Sequence, residues 1–80
     1  ESVVSSGVYI NEGAEIVNSV IMKNAVIGKN AKVYNSIVAE DAVIGEKAIV
    51  GHENIEVGKD MITVVANKDV VGPNEIFKKM

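Results

Sequence analysis

His52 is the only imidazole in the chain and the one side chain suited to general-base chemistry near neutral pH. In that role it would accept a proton during acyl transfer. The sequence places no partner carboxylate and no oxyanion feature beside it, so we interpret His52 as a surface-loop residue. A zinc site made of histidines is rejected, because one histidine per chain supplies three ligands only around a trimer axis.

Glu40 and Asp41 form the most obvious pair of carboxylates. Two carboxylates can divide acid and base roles when both side chains point at one substrate. Adjacent residues of an extended strand point to opposite sides, so these two are better explained as a polar outer turn.

Four lysines are candidates for binding a phosphorylated effector. They are Lys23, Lys29, Lys32 and Lys59. Acidic residues alternate with them in the repeat described below, and this alternation removes any concentrated positive field. Solvated surface lysines are therefore the preferred explanation.

Gly28 and Gly45 each follow an aliphatic residue, but neither belongs to a nucleotide-binding glycine motif. Met22 and Met61 are expected to be packing residues. The sequence therefore supports no catalytic, cofactor-binding or metal-ligating residue in this chain.

The composition indicates which elements position these residues. Hydrophobic residues make up 48% of the 80 residues and charged residues 24%, which is typical of a folded domain. Val and Ile supply 25 of the 38 apolar side chains, whereas Leu, Arg, Gln and Trp are absent. Because Val and Ile favour strands and Leu favours helices, the sequence predicts an all-β protein.

The net charge of −3 and the absence of arginine argue against a nucleic-acid partner. No apolar run is long enough to cross a bilayer and the first residues do not resemble a signal peptide, so we expect no membrane partner and a cytoplasmic location. The chain does not begin with Met, and we expect it to be the C-terminal part of a longer one.

A repeat of seventeen residues organises the chain. Writing the sequence in steps of seventeen aligns residues of the same type in columns. Four of these columns are Val4-Ile21-Val38, Ile10-Ile27-Ile44, Ala14-Ala31-Ala48 and Ile16-Val33-Val50. Each repeat divides into units of six, six and five residues, and each unit reads as a short strand followed by a turn.

Three such units close one triangular coil, and about four coils stack into a parallel β-helix. The aliphatic residue and the small residue four positions later must point inward, because the prism is narrow. Residues that tolerate left-handed backbone conformations fall at the outer turns. They are Gly13, Asn24, Asn30 and Asp41.

Charged residues test this register independently. The columns place Lys29 between Glu12 and Glu46, Glu15 beneath Lys32, and Lys23 beneath Glu40. A slip of one residue would destroy these pairings. Asn18 beneath Asn35 is expected to form a side-chain amide ladder.

The repeat becomes irregular after Val50. We expect a small bulge around His52-Glu53-Asn54, a restored unit over 57–62 with Lys59 above Glu40, and an interruption at Thr63-Val64. One domain over 1–80 would then contain regular coils over 3–50, an irregular coil over 51–64 and a terminal coil over 65–76. Pro73 lacks a backbone donor and is typical of a terminal coil that resists further stacking.

The Ile-Gly-Lys-Asn-Ala run at 27–31, the Asn-Ser steps at 18–19 and 35–36 and the Ile-Thr-Val-Val run at 62–65 are similar to the hexapeptide-repeat superfamily. The run over 20–28 resembles the C-terminal domain of bacterial glucose-1-phosphate adenylyltransferases, and the resemblance extends over about residues 2–76. It implies a single-stranded left-handed parallel β-helix, a hand that the columns alone do not fix.

The resemblance also implies a nucleotidyltransferase domain outside this chain. That domain would convert ATP and glucose 1-phosphate to ADP-glucose and pyrophosphate with Mg²⁺, in glycogen biosynthesis. The β-helix would contribute to assembly and allosteric regulation, and its partners would be its own catalytic domain and the other subunits of a homo- or hetero-tetramer. The family's catalytic motifs have no counterpart here, so ATP and Mg²⁺ are expected only in that domain, and this chain alone is not expected to be an enzyme.

Two other classes of function stay open. The first is a hexapeptide-repeat acyltransferase that uses His52 as its base, and the second is a structural β-helix subunit with no enzyme attached. Relatives that transfer other nucleotides to other sugars also fit the residues. In each case an open apolar end near Val3 and Val4 predicts self-association of the chain.

Overall fold

The computed structural model describes residues 2–52 and 62–77. These residues form short strands and contain no α-helix, and none of them belongs to a helix long and apolar enough to cross a membrane. The strands in chain order are β1 (Val3–Val4), β2 (Tyr9–Ile10), β3 (Glu15–Val17), β4 (Val20–Ile21), β5 (Val26–Ile27), β6 (Lys32–Tyr34), β7 (Ser36–Val38), β8 (Val43–Ile44), β9 (Ile49–Val50), β10 (Thr63–Val65), β11 (Val70–Val71) and β12 (Ile76–Phe77).

The strands of the described residues build three parallel four-stranded sheets, which are the faces of a triangular prism. The first face contains β1, β4, β7 and β10, the second contains β2, β5, β8 and β11, and the third contains β3, β6, β9 and β12. Because the chain visits the three faces in turn, three strands make one coil and four coils stack. The predicted all-β fold of about four triangular coils is confirmed.

The strand register confirms the seventeen-residue repeat over the first three coils. Val4 pairs with Ile21 on the first face, Ile10 with Ile27 on the second, and Val33 with Val50 on the third. The core is a stack of inward side chains from all three faces. Its fully buried members in the second and third coils are Ile21, Ala25, Ile27, Ala31, Val33, Val38, Ala42, Ile44, Ala48 and Val50.

The predicted charge columns also lie in register. Glu15 pairs directly with Lys32 on the third face. The backbone amide of Asp41 donates to the carbonyl of Lys23 at 3.1 Å, and this bond places Glu40, the residue before Asp41, directly above Lys23 as expected.

Met22, by contrast, is 37% exposed, so the expectation that it packs is wrong. Met22 follows the inward Ile21 and therefore points away from the core; Met61 lies outside the described residues.

The fourth coil begins later than the repeat predicts. Thr63 pairs with Ser36 and Val65 with Val38, so the step is twenty-seven residues instead of seventeen. Thr63 therefore belongs to a regular strand, and its interpretation as an interruption is wrong. The register of Val38 with Val65 places Asn67 above Glu40. Of the expected bulge only His52 is described, and Lys59 with the unit at 57–61 lies outside the described residues.

The corners of the prism use left-handed backbone conformations, as the turn residues predicted. Gly13 has φ +80° and Asn30 has φ +60°, one above the other at the corner between the second and third faces. The third residue of this column is Lys47, whose φ is +61°. A lysine there is strained, because its Cβ approaches the following carbonyl oxygen and no short polar side chain compensates.

We expect Lys47→Asn to stabilise the fold by roughly 0.5–1 kcal/mol, because asparagine tolerates this conformation better than lysine. The measurement is the midpoint of thermal unfolding, which should rise by a few degrees. Lys29→Asn is the matched control, since it makes the same change of charge at a neighbouring residue for which no positive φ is recorded. An equal rise of the unfolding midpoint in both variants would mean that the change of charge causes it, and would contradict backbone strain at Lys47.

Candidate functional site

Two adjacent faces of the prism present apolar side chains to solvent. On the first face Val3, Val20 and Val64 lie in one outward column, and Met22 is exposed beside Val20. On the second face the outward column is Tyr9, Val26, Val43 and Val70, of which Tyr9 is 63% exposed and Val70 is 68% exposed. Exposed apolar residues arranged in contiguous columns are typical of a contact surface for another protein segment.

Within residues 2–52 and 62–77, charged residues are kept away from these two columns. They occupy the corners and the third face: Glu12, Glu15, Lys23, Lys29, Lys32, Glu40, Asp41, Glu46, Lys47, Lys68, Asp69 and Glu75. The two outward columns therefore form what we call the uncharged faces, flat strips of β-branched and aromatic side chains bordered by polar corners. Such a surface buries apolar area on contact without desolvating a charge.

The corner between the third and first faces is built differently from the other two. Ser19 and Ser36 are buried there and form a ladder along the stack. The Ser36 amide donates to the Ser19 hydroxyl at 3.0 Å, and that hydroxyl donates to the Val17 carbonyl at 2.8 Å. The Ser19 amide repeats the contact with Ser2 at 3.2 Å. Each serine thus satisfies buried backbone groups and closes its coil.

His52 lies at this serine corner, one coil above Asn35, and is half-buried. The Asn35 side-chain amide donates to the His52 carbonyl at 2.7 Å. The Asn35 side-chain amide thus bonds the backbone of the next coil, and the ladder expected between the amides of Asn18 and Asn35 stays a prediction. The residue with a left-handed backbone conformation also changes its place in the repeat at this corner. In the second coil it is Asn35 (φ +49°), whereas in the third coil it is Gly51 (φ +86°), one position before the equivalent His52.

A buried tyrosine lies beside this corner on the third face. Tyr34 is only 6% exposed, and its hydroxyl donates to a Glu15 carboxylate oxygen at 3.0 Å. This bond occupies one of the acceptors of Glu15, the carboxylate stacked beneath Lys32. The group therefore links the first and second coils on the third face.

The remaining candidates stay apart from one another. Glu40 and Asp41 are both exposed at the corner between the first and second faces, and Asp41 has φ +63°, which confirms the polar outer turn. Lys23, Lys29 and Lys32 are exposed. Within residues 2–52 and 62–77, no three His, Cys, Asp or Glu side chains cluster closely enough to hold a metal ion.

The contact surface was not predicted from the sequence, although its signal is present there. The columns Val3-Val20-Ile37 and Tyr9-Val26-Val43 are as regular as the core columns, yet strand alternation places them outside. When both the inward and the outward residues of a strand are apolar, the strand is typically covered by protein on both faces.

Comparison with known families gives one match. The family described as "GlmU-like, C-terminal hexapeptide" matches residues 1–72, which is most of the chain. The comparisons with curated proteins and with solved structures gave no match.

Proposed function

Because the chain belongs to the GlmU-like C-terminal hexapeptide family, and so is a left-handed parallel β-helix of hexapeptide repeats, we propose that it is the assembly and regulatory domain of a sugar-phosphate nucleotidyltransferase. The observation that carries this proposal is the pair of uncharged faces, which offers apolar contact surface on two sides of one rigid prism. Catalysis takes place in a separate domain of the same cytoplasmic protein.

The reaction proposed for that domain is the conversion of ATP and glucose 1-phosphate to ADP-glucose and pyrophosphate, which feeds glycogen synthesis. The support is the similarity of residues 20–28 to adenylyltransferases that make ADP-glucose. The described residues of this chain offer no ligand cluster for Mg²⁺, so ATP and Mg²⁺ are assigned to the catalytic domain. The β-helix contacts that domain and the other subunits of a tetramer.

The test of the reaction is an assay of the full-length protein that carries this domain. Pyrophosphate release is measured with ATP and glucose 1-phosphate, and in parallel with UTP and N-acetylglucosamine 1-phosphate. We expect turnover with the first pair. Turnover with the second pair alone would overturn the ADP-glucose assignment and keep the nucleotidyltransferase class, whereas no nucleotide sugar from either pair would overturn both.

The test of the assembly role uses substitutions on the uncharged faces. Val20→Lys and Val43→Lys place a charge on the first and second faces, where the native side chains are partly exposed, so folding should be retained. We expect both to weaken the tetramer. Ile76→Lys on the third face is the control, because Ile76 is 60% exposed there and should not alter assembly. Equal loss of assembly in all three variants would contradict a role for these faces.

A second candidate function is acyl transfer with His52 as the base. It is favoured by one observation, the ten residues by which the step from the third to the fourth coil exceeds the seventeen-residue repeat just after His52, since insertions in repeat scaffolds often carry binding residues. His52→Ala would then abolish acetyl transfer by the intact protein and leave pyrophosphate release unchanged. An unaffected rate of acetyl transfer in this variant would remove the candidate.

A further inference from the structure

The charged side chains of the prism are sorted by coil. The second coil (18–34) contains three lysines and no acidic residue, whereas the third coil (35–51) contains Glu40, Asp41 and Glu46 with a single lysine. The strand register stacks these two coils directly on each other. A positive layer therefore lies beneath a negative one, and the two are separated by one coil spacing, roughly 4.8 Å.

Both corners that border the second face carry this pattern. At the corner between the first and second faces Glu40 lies directly above Lys23. At the corner between the second and third faces Glu46 lies directly above Lys29. In each case the amide of the residue after the glutamate donates to the lysine carbonyl, at 3.1 and 2.9 Å respectively, and all four side chains are exposed. Each column is thus positive in the second coil and negative in the third.

This pattern is complementary to itself when a second copy of the chain is inverted. The required two-fold axis lies in the plane of the second face, perpendicular to the stack and between the second and third coils. It brings each corner column opposite its own inverted copy. Lys23 then faces Glu40 of the second copy, and Lys29 faces Glu46 of the second copy. No charged residue described at these two corners faces a charge of its own sign.

Parallel stacks give the opposite result. A two-fold axis along the stack would place the two corners of the second face opposite each other at the same height. Lys23 would then face Lys29 of the second copy, and Glu40 would face Glu46 of the second copy. Charges across an interface select its orientation more than they add affinity, and like charges brought together oppose association. The charges of this chain therefore favour the inverted arrangement.

The second face is also the face best suited to such a contact. Its outward column contains only Tyr9 and three valines, all at least partly exposed. The outward column of the third face contains Glu15 and Lys32, whose charges a contact would desolvate. Among the residues that the structure describes, charged side chains border the first face at one corner only. Apolar area and complementary charge therefore coincide on the second face alone.

We propose that a second copy of this chain docks side by side on the second face, with its stack inverted about this two-fold axis. A two-fold contact uses the same patch on both copies, and the patch must then complement itself. The apolar column and the two charged columns meet this requirement together. The inference rests on the assembly role proposed above and specifies its partner and orientation, and it does not depend on which nucleotide sugar the catalytic domain makes.

The test is sedimentation equilibrium of this chain with the charges changed at one corner. Lys23→Glu turns two attractive contacts of the dimer into repulsive ones, and we expect it to weaken the dimer about tenfold. Adding Glu40→Lys to the same chain exchanges the two charges and should restore the dissociation constant. Lys32→Glu is the matched control and should leave that constant unchanged, because Lys32 is an exposed lysine of the same coil stacked on an acidic residue, but on the third face.

The outcomes separate this inference from the function on which it rests. A tighter dimer in Lys23→Glu would mean parallel stacks and overturn the proposal. No effect of Lys23→Glu, no rescue by Glu40→Lys, or a monomer at every concentration would also overturn it. The assembly role is tested independently, by Val43→Lys in the full-length protein. If Val43→Lys weakens the tetramer and Lys23→Glu does not weaken the dimer, the assembly role stands and the inverted contact fails.

Cross-linking tests the orientation without a change of charge. The chain has no cysteine, so Tyr9→Cys and Val70→Cys each introduce one thiol on the second face, in the first and fourth coils. Facing sheets pack about 10 Å apart, so a bismaleimide of about that span joins opposed residues. We expect cross-links in a mixture of the two variants and few in either variant alone, where the thiols lie three coil spacings, about 14 Å, apart along the stack. Cross-links in each variant alone, or none in the mixture, would overturn the inverted dimer.

Discussion

Ala31→Asp is expected to unfold the coil stack. Ala31 has no exposed surface and lies in the inward column between Ala14 and Ala48, where the described neighbours are aliphatic. A carboxylate there would lose its hydration and gain no partner. The expected cost is about 4–5 kcal/mol, which is comparable with the whole stability of a domain of this size, about 4–12 kcal/mol.

Circular dichroism and thermal unfolding measure this effect directly. We expect the variant to lack the cooperative unfolding transition of the wild-type chain at room temperature and above. Ala66→Asp is the matched control, because Ala66 is exposed on the fourth coil and the same substitution there should change stability by no more than about 0.5 kcal/mol. A normal melting curve for Ala31→Asp would place Ala31 outside the prism.

The coil architecture was predictable because the same pattern of inward and corner residues recurs in each seventeen-residue repeat. Each core column contains residues of similar size, and each corner column contains residues that accept positive φ, so periodicity, burial and turn chemistry agree on one register. Ile10, Ile27 and Ile44 illustrate this, since every shift of register would separate them. The residues contain no comparable signal for the hand of the coil, which was inferred from the resemblance to the hexapeptide-repeat superfamily.

The position of the fourth coil was not predictable from the same evidence. The unit at 57–62 begins with an aliphatic residue and carries the glycine and lysine of the repeat. It therefore matches the hexapeptide pattern as well as the segment beginning with β10, which pairs with Ser36–Val38. Pattern alone cannot choose between two matching segments. Only Thr63, a hydroxyl side chain stacked on Ser36, indicates which segment continues the corner.

The contacts around His52 were hidden for a related reason. In the sequence, Tyr34 is part of the five-residue unit of the repeat, whose pattern does not predict a buried side chain. Its burial depends on the residues of the next coil that stack against it. Gly51 is one of these, and a Cβ added at Gly51 would meet the Tyr34 carbonyl oxygen. Glu75 is likewise an ordinary surface residue in the sequence. Its carboxylate accepts a hydrogen bond from the Gly72 amide at 2.7 Å, a contact that the seventeen-residue pattern does not predict.

Gly45→Ala is expected to destabilise the fold by about 2–3 kcal/mol, an effect of overpacking. A Cβ at Gly45 would lie 2.6 Å from the Pro73 nitrogen, 2.7 Å from the Gly72 carbonyl carbon and 2.8 Å from the Val71 oxygen. All three atoms are backbone of the coil above, which cannot move without breaking the hydrogen bond from the Gly45 amide to the Val71 carbonyl. Gly45 has no positive φ, so the requirement for glycine here is close approach between coils.

Thermal unfolding should report this as a fall of roughly 10–20 °C in the midpoint for an 80-residue chain. Gly72→Ala is the control in the same column, because a Cβ there meets only the Glu75 carboxylate, at 3.1 Å, which can rotate away. Its effect should be small, since the lower entropy of the unfolded chain offsets the contact. Comparable losses in the two variants would contradict close approach between coils as the reason for glycine at position 45. The expected order, with Gly45 far more sensitive than Gly72, follows because the fourth coil stacks directly on the third at this face, whereas a Cβ at Gly72 meets only a side chain.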